Sequence, residues 1–174
     1  MSTTAATTAT AATTTTTATT DAPTATTDAT AVVDAYFAAF GARDIDRALS
    51  LVAPDAVWTV PGDPRIVPWV GVRQGHDALR DFFTELFTAS EPLAFEVHGM
   101  TEVPAGPPGH GTKVVIPGRF AYRFTASRQI LDDTFVMVFT IADGRIAAYD
   151  IFEDSLGLAR AYTGDPALGL PAAP

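Results

Sequence analysis

The sequence predicts an α+β fold: a curved antiparallel sheet shaped as a cone and wrapped by three helices from the N-terminal half. Three observations predict it. Apolar residues recur at helical spacing in three segments before residue 90, the period then changes to two over the later segments, and an Asp-Gly pair joins the last two strand-like runs.

The first helix is carried by Val32, Val33, Tyr36, Phe37 and Phe40, which line one side at three- and four-residue steps, and Gly41 ends it. Ile45, Leu49 and Val52 indicate a second, short helix with Asp44 as N-cap and Pro54 closing its turn. From Asp55 the run AVWTV reads as a strand, ended by Pro61-Gly62 and the further break Asp63-Pro64. The segment GHDALRDFFTELFTAS is the third helix, with Leu79, Phe82, Phe83, Leu86 and Phe87 on its apolar face and Asp81 and Glu85 outward. Strands follow: LAFEVHGMTEV, a Pro/Gly loop PAGPPGHG, TKVVIPGRFAYRF and QILDDTFVMVFTI. Asp143-Gly144 then turns the chain into RIAAYDIFED, a hairpin signal. Such a sheet, covered on one face by helices, encloses a cone with a wet or ligand-filled mouth.

A chain of 174 residues that is 47% hydrophobic is one domain by length and can bury a sizeable core. The excess of 20 acidic over 11 basic residues argues against nucleic acid or an anionic membrane as partner, because phosphate binding needs clustered positive charge. There is no cysteine, hence no disulfide, thiolate nucleophile or cysteine metal site. The histidines, His76, His98 and His110, are scattered without metal-site spacing, so no metal is expected. No phosphate-binding Gly loop, nucleophile elbow or nucleotide fingerprint occurs.

The first 30 residues hold 16 Thr and 9 Ala and no basic residue, which excludes the pattern of a secretory signal, and no apolar stretch is long enough to span a bilayer. Residues 1–28 are therefore expected as a disordered tail in a cytoplasmic protein, with a modified or partner-binding tail as the alternative. The domain spans 29–163, and 164–174 is expected as a flexible end.

PDAVWTVPGDP, the GVRQG before a helix and FTIADGRIAAYDIFEDSLGL, in this order, resemble the nuclear-transport-factor-2-like superfamily and its SnoaL-like branch, related to ketosteroid isomerases and limonene epoxide hydrolases. The resemblance covers about Ala31 to Tyr162. It implies a cystatin-like α+β barrel, a homodimer paired through the outer sheet face, and a cavity for a small apolar molecule. It also directs Tyr36, Phe40, Trp58, Val60, Phe120, Tyr122, Asp133, Phe135, Met137 and Ile151 into that cavity, to which the third helix adds Leu86. The better-defined catalytic sets are missing. Where a ketosteroid isomerase has its base stands Val60, and its protonated acid falls near Met137; only the tyrosine position, Tyr36, is kept. The Arg and two Asp of the epoxide hydrolases fall near Gly118, Phe120 and Ile151.

SnoaL-like polyketide cyclases imply cofactor-free acid/base chemistry centred on one Asp. Strand alternation places Leu131, Asp133, Phe135, Met137 and Phe139 on one face, an acid among large apolars. Asp133 is the leading candidate base, with Tyr36 or Tyr122 bonding a developing enolate oxygen; the other reading leaves it at a solvated rim. Asp150 and Asp154 are second-rank acids, and Asp154 can cap a terminal helix; Glu153, ranked below them, shares the face of Ile151 and can approach the cavity mouth. Trp58 and Trp69 read first as packing groups, and Arg119 and Arg123 as outward-facing. The expected activity is an isomerase or cyclase on an apolar carbonyl compound. The alternatives are a non-catalytic ligand-binding or dimerisation module and an epoxide hydrolase with a rearranged acid set.

Overall fold

Helix α1 (Ala29–Gly41) begins where Asp28 accepts hydrogen bonds from the Thr30 and Ala31 amides, and it buries Val32, Val33, Tyr36 and Ala39. This computed structural model describes residues 28–107 and 109–169; residues 1–27 of the Thr/Ala-rich segment and 170–174 of the C-terminal end lie outside the described residues. Helix α2 (Ile45–Ser50) is capped as expected by Asp44, which accepts from the Arg47 amide. Strand β1 (Val52–Val60) follows at once, with Ala56, Trp58 and Val60 turned inward, so that Pro54 lies within a strand instead of closing a turn. After β2 (Gly71–Gln74) and α3 (Gly75–Ala89) come β3 (Ser90–Val97), β4 (Thr101–Pro104), β5 (Thr112–Phe124), β6 (Ile130–Ala142), β7 (Arg145–Phe152) and a closing helix α4 (Ser155–Thr163).

The strands form one open sheet in the order β2-β1-β7-β6-β5-β3, with β4 also on β5. All pairs are antiparallel except β1 with β7, which run parallel and set Trp58 opposite Tyr149. Breaks in register between Thr140 and Ile141 on the β6–β7 pair, and between Pro92 and Ala94 on the β3–β5 pair, mark bulges, the device that bends strands and curves a sheet. At the β6–β7 hairpin Asp143 and Gly144 both have positive φ, 50° and 72°, the backbone of the tight turn that the Asp-Gly pair predicts. One element is added and one expectation corrected. GVRQ, to which the sequence reading assigns no element, is a short edge strand. LAFEVHGMTEV is two strands, parted at His98–Met100.

The helices sit on the concave face. Phe139 of β6 packs between Tyr36 and Phe37 of α1, Trp58 of β1 and Tyr149 of β7 at ring separations of 5.3, 5.7, 6.1 and 5.0 Å. Each such ring, buried from water, contributes about 1.5–3 kcal/mol, so this cluster fixes α1 across the sheet. The outer face is polar in part: Arg119 bridges Asp132 and Glu96 at 2.7 Å each, the outward position expected of it. Pro117, Val136 and Phe152, neighbours across β5, β6 and β7, are exposed there. Within the segment expected as a flexible end, residues 166–169 form a turn, and Arg160 Nε donates to the Leu168 carbonyl at 3.1 Å. Among the described residues no helix is long and apolar enough to cross a membrane.

Candidate active site

Between the concave sheet and helices α1, α3 and α4 lies a cavity of about 80 Å³ with almost wholly apolar walls. Of the residues expected to line it, Tyr36, Phe40, Trp58, Val60, Leu86, Phe120, Tyr122, Met137 and Ile151 do. Its acid is Glu153, at the end of β7, and a third tyrosine, Tyr149, joins Tyr36 and Tyr122. Among the described residues neither the Glu153 carboxylate nor any of these three hydroxyls has a hydrogen-bond partner in the protein, which leaves all four for water or a ligand.

The electrostatics show that these groups converge. Burial, then the negative charges of Asp133 and Asp154, pushes the Glu153 carboxyl up to about 7. Burial, then Glu153, pushes Tyr122 up to about 12. Tyr36 is raised well above its ordinary value by burial and by Tyr122, and Tyr149 by burial and by Tyr36, Glu153, Tyr122 and Asp150. The hydroxyls therefore stay protonated donors at neutral pH while the carboxyl is poised to hold or release a proton. Trp58, 1% exposed, stacks on Tyr149 at 4.2 Å with an unpartnered Nε1.

Two expectations fail on position. Asp133 does not line the cavity. It lies on the predicted face of β6, but the turn from β7 into α4 covers it. Its Oδ1 accepts from the Thr134 amide and its Oδ2 from the Asp154 amide, both at 2.7 Å. It borders instead an outer cleft shared with Asp154 and Arg160. Phe135 is buried but also off the lining: its ring is stacked between Phe95 and Phe120 at 5.5 and 5.4 Å. Asp154 is the α4 N-cap, accepting from the Leu156 and Gly157 amides, as an acid before SLGLARAY predicts. The signal for Tyr149 and Glu153 was present, since both lie two residues from Ile151 and share its face.

Any Cβ at Gly118 would collide with the Phe135 ring and the Glu96 carbonyl, so the arginine of the epoxide hydrolases has no room there. Among the described residues no three His, Asp or Glu side chains gather as a metal site.

The curved sheet with helices on one face is a fold of the nuclear-transport-factor-2-like kind. The chain belongs to the SnoaL-like domain family, whose model matches residues 33–149. No curated protein matches. Among solved structures, an NTF2-like protein from Burkholderia xenovorans is 25% identical with a TM-score of 0.63, over 76% of this chain and 94% of that one. A proposed polyketide cyclase from Sinorhizobium meliloti is 26% identical with a TM-score of 0.54, over 70% and 94%. A proposed isomerase from Rhodopseudomonas palustris shares the fold at a TM-score of 0.62 and 13% identity, over 76% and 93%.

Proposed function

We propose that this protein is a cofactor-independent acid/base enzyme of the isomerase or cyclase type, acting on an apolar carbonyl compound with Glu153 as its base. The observation that carries this reading is one unpartnered carboxyl, raised to about 7, in an apolar cavity with three unpartnered tyrosine hydroxyls. The likeness to a proposed polyketide cyclase supports the reaction class. Asp133, the base expected from the sequence, gives way to Glu153 because both its oxygens are engaged by backbone amides.

In this reading the Glu153 carboxylate takes a proton from the carbon beside the carbonyl. The C–H pair moves into the enolate, and tyrosine O–H groups donate to the oxygen that gains charge. Where the substrate has a β,γ carbon–carbon double bond, the dienolate takes the proton from Glu153 at the γ-carbon and the double bond shifts to α,β, which is isomerisation. In a cyclase the enolate carbon attacks another carbonyl of the same molecule, and the new alkoxide takes the proton. Apolar walls favour this, because donors fixed in a dry site need little reorganisation. The expected homodimer and cytoplasmic setting remain part of the proposal; exposed Pro117, Val136 and Phe152 supply a self-complementary apolar strip for pairing.

The test is deuterium exchange of the α-protons of 2-butanone and cyclohexanone, followed by NMR in D₂O. Wild type accelerates exchange, and E153Q lowers the rate about 10²–10⁴-fold, the range of a positioned base. Binding without exchange would identify a ligand-binding module instead, and exchange that survives E153Q would remove Glu153 as the base.

A further inference from the structure

Beside the inner cavity lies a second chamber of about 130 Å³. The two share a wall made of Phe37, Phe40, Leu86, Phe95 and Tyr122. The inner space holds only several water-sized volumes, at about 10–15 Å³ each. Sites for organic ligands run to about 300–1,000 Å³, so a substrate of ordinary size needs more than the inner space. The dividing side chains reach toward the surface: Phe37, Phe40 and Leu86 are half-buried and Phe95 is 37% exposed. Tyr122 belongs to both chambers and lies near enough to Glu153 to feel its charge, so the partition stands next to the reacting groups.

The outer chamber carries one charged side chain, Arg43. Its guanidinium lies 5.1 Å from the Phe87 ring centre and donates to the carbonyls of Phe87 and Ser90 at 3.3 and 3.5 Å. Those bonds are long for N–H···O, and they leave much of a five-donor fork unused. Among the described residues exposed Arg43, like Arg47, Arg128, Arg145 and Arg160, meets no carboxylate, whereas Arg65, Arg73, Arg80 and Arg119 each have one within 2.7 Å. The carbonyl contacts also tie the α1–α2 loop to the end of α3, a structural role that the cation would serve in any case. That role does not account for the position beside an apolar chamber.

We propose that the outer chamber is the second half of the binding site, taking the distal part of an elongated carbonyl compound whose apolar chain or ring ends in a carboxylate paired with Arg43. This rests on the reading of Glu153 and its tyrosines as the reacting centre. The carbonyl end occupies the inner cavity, the partition side chains swing aside, and the anionic end stays at the wet rim, where the guanidinium fork fits a carboxylate in two bonds.

Binding of 2-octanone is compared with that of 7-oxooctanoate, the same methyl ketone with a terminal carboxylate, by titration calorimetry at low ionic strength. Wild type favours the carboxylate about tenfold, the scale of one charge-assisted hydrogen bond. The ratio shrinks as salt is raised, falls to about one in R43Q and is partly kept in R43K. A ratio near one in wild type at low salt overturns the proposal, as does an advantage unchanged by salt or by R43Q. If that happens while 2-butanone exchange still depends on Glu153, only the second chamber is lost. If neither ketone binds and no exchange occurs, the reading of the reacting centre falls with it.

Discussion

Glu153 and Asp133 show how two acids on one concave face acquire different chemistry. Asp133 is held by two amides and borders the outer cleft, whereas Glu153 has no partner and faces apolar walls. The first group is a fixed negative charge, and the second is a proton carrier biased by it. In D133N that charge disappears, and the amide oxygen can still accept from one of the two backbone N–H groups. With burial unchanged and one repelling charge gone, the Glu153 carboxyl drops from about 7 toward the ordinary glutamate range. The pH profile of ketone exchange, which rises as Glu153 loses its proton, should therefore move its midpoint to lower pH and keep its alkaline plateau within a few-fold. A plateau that collapses without any shift in midpoint would return Asp133 to the role of base.

The elements readable from the sequence were those with a long period or a local chemical signature. The thirteen-residue run of β6 alternates without interruption and that of β5 does so from Lys113 to Phe120, the Asp-Gly turn has the backbone it demands, and Asp44 and Asp154 cap helices as their sequence contexts indicate. What escaped depends on tertiary cover. Strand parity put Asp133 and Glu153 both on the inward face, but nothing local shows that the turn into α4 would roof one and leave the other in the cavity. Phe135 was placed on the right face for the same reason, and the stacking by Phe95 and Phe120 that removes it from the lining is likewise non-local. The crossing of β3, β5 and β6 at Gly118 gives this a measurable form. Gly118 pairs with Phe135 on one side and Val97 on the other, and the Phe135 ring and Glu96 carbonyl occupy the place of a Cβ. G118A overpacks that crossing and should cost about 1–3 kcal/mol, read as a lower midpoint in urea with an unchanged slope. A midpoint equal to wild type would mean that the strands part there at no cost.

For the molecule as a whole, the cavity that creates the proposed activity also sets how stability varies with pH. Glu153 titrates near 4.5 when unfolded and near 7 when folded, so the folded chain binds its proton more tightly. Stability from this group is complete below pH 4.5, is lost as pH rises to about 7, and is flat beyond. The full shift corresponds to at most about 3 kcal/mol, less for the partial exposure of the side chain. A second decline begins above pH 10, where unfolded tyrosines ionise while Tyr36, Tyr122 and Tyr149 resist doing so. At the acid end Asp132, held low by its hydrogen bond from Arg119, withdraws its contribution as it takes up a proton. General repulsion in a chain of net charge −9 also grows with pH, so the slope alone does not identify Glu153. E153Q separates the two, because it removes the buried titration and leaves the surface charge nearly intact. Melting temperatures taken between pH 4.5 and 9 should show wild type losing several degrees from pH 5 to 7.5. E153Q should match wild type near pH 5, stay flatter, and exceed it above pH 7. Parallel curves for the two proteins would mean that Glu153 is solvated in the folded state, and both the raised carboxyl and the proton transfer built on it would have to be abandoned.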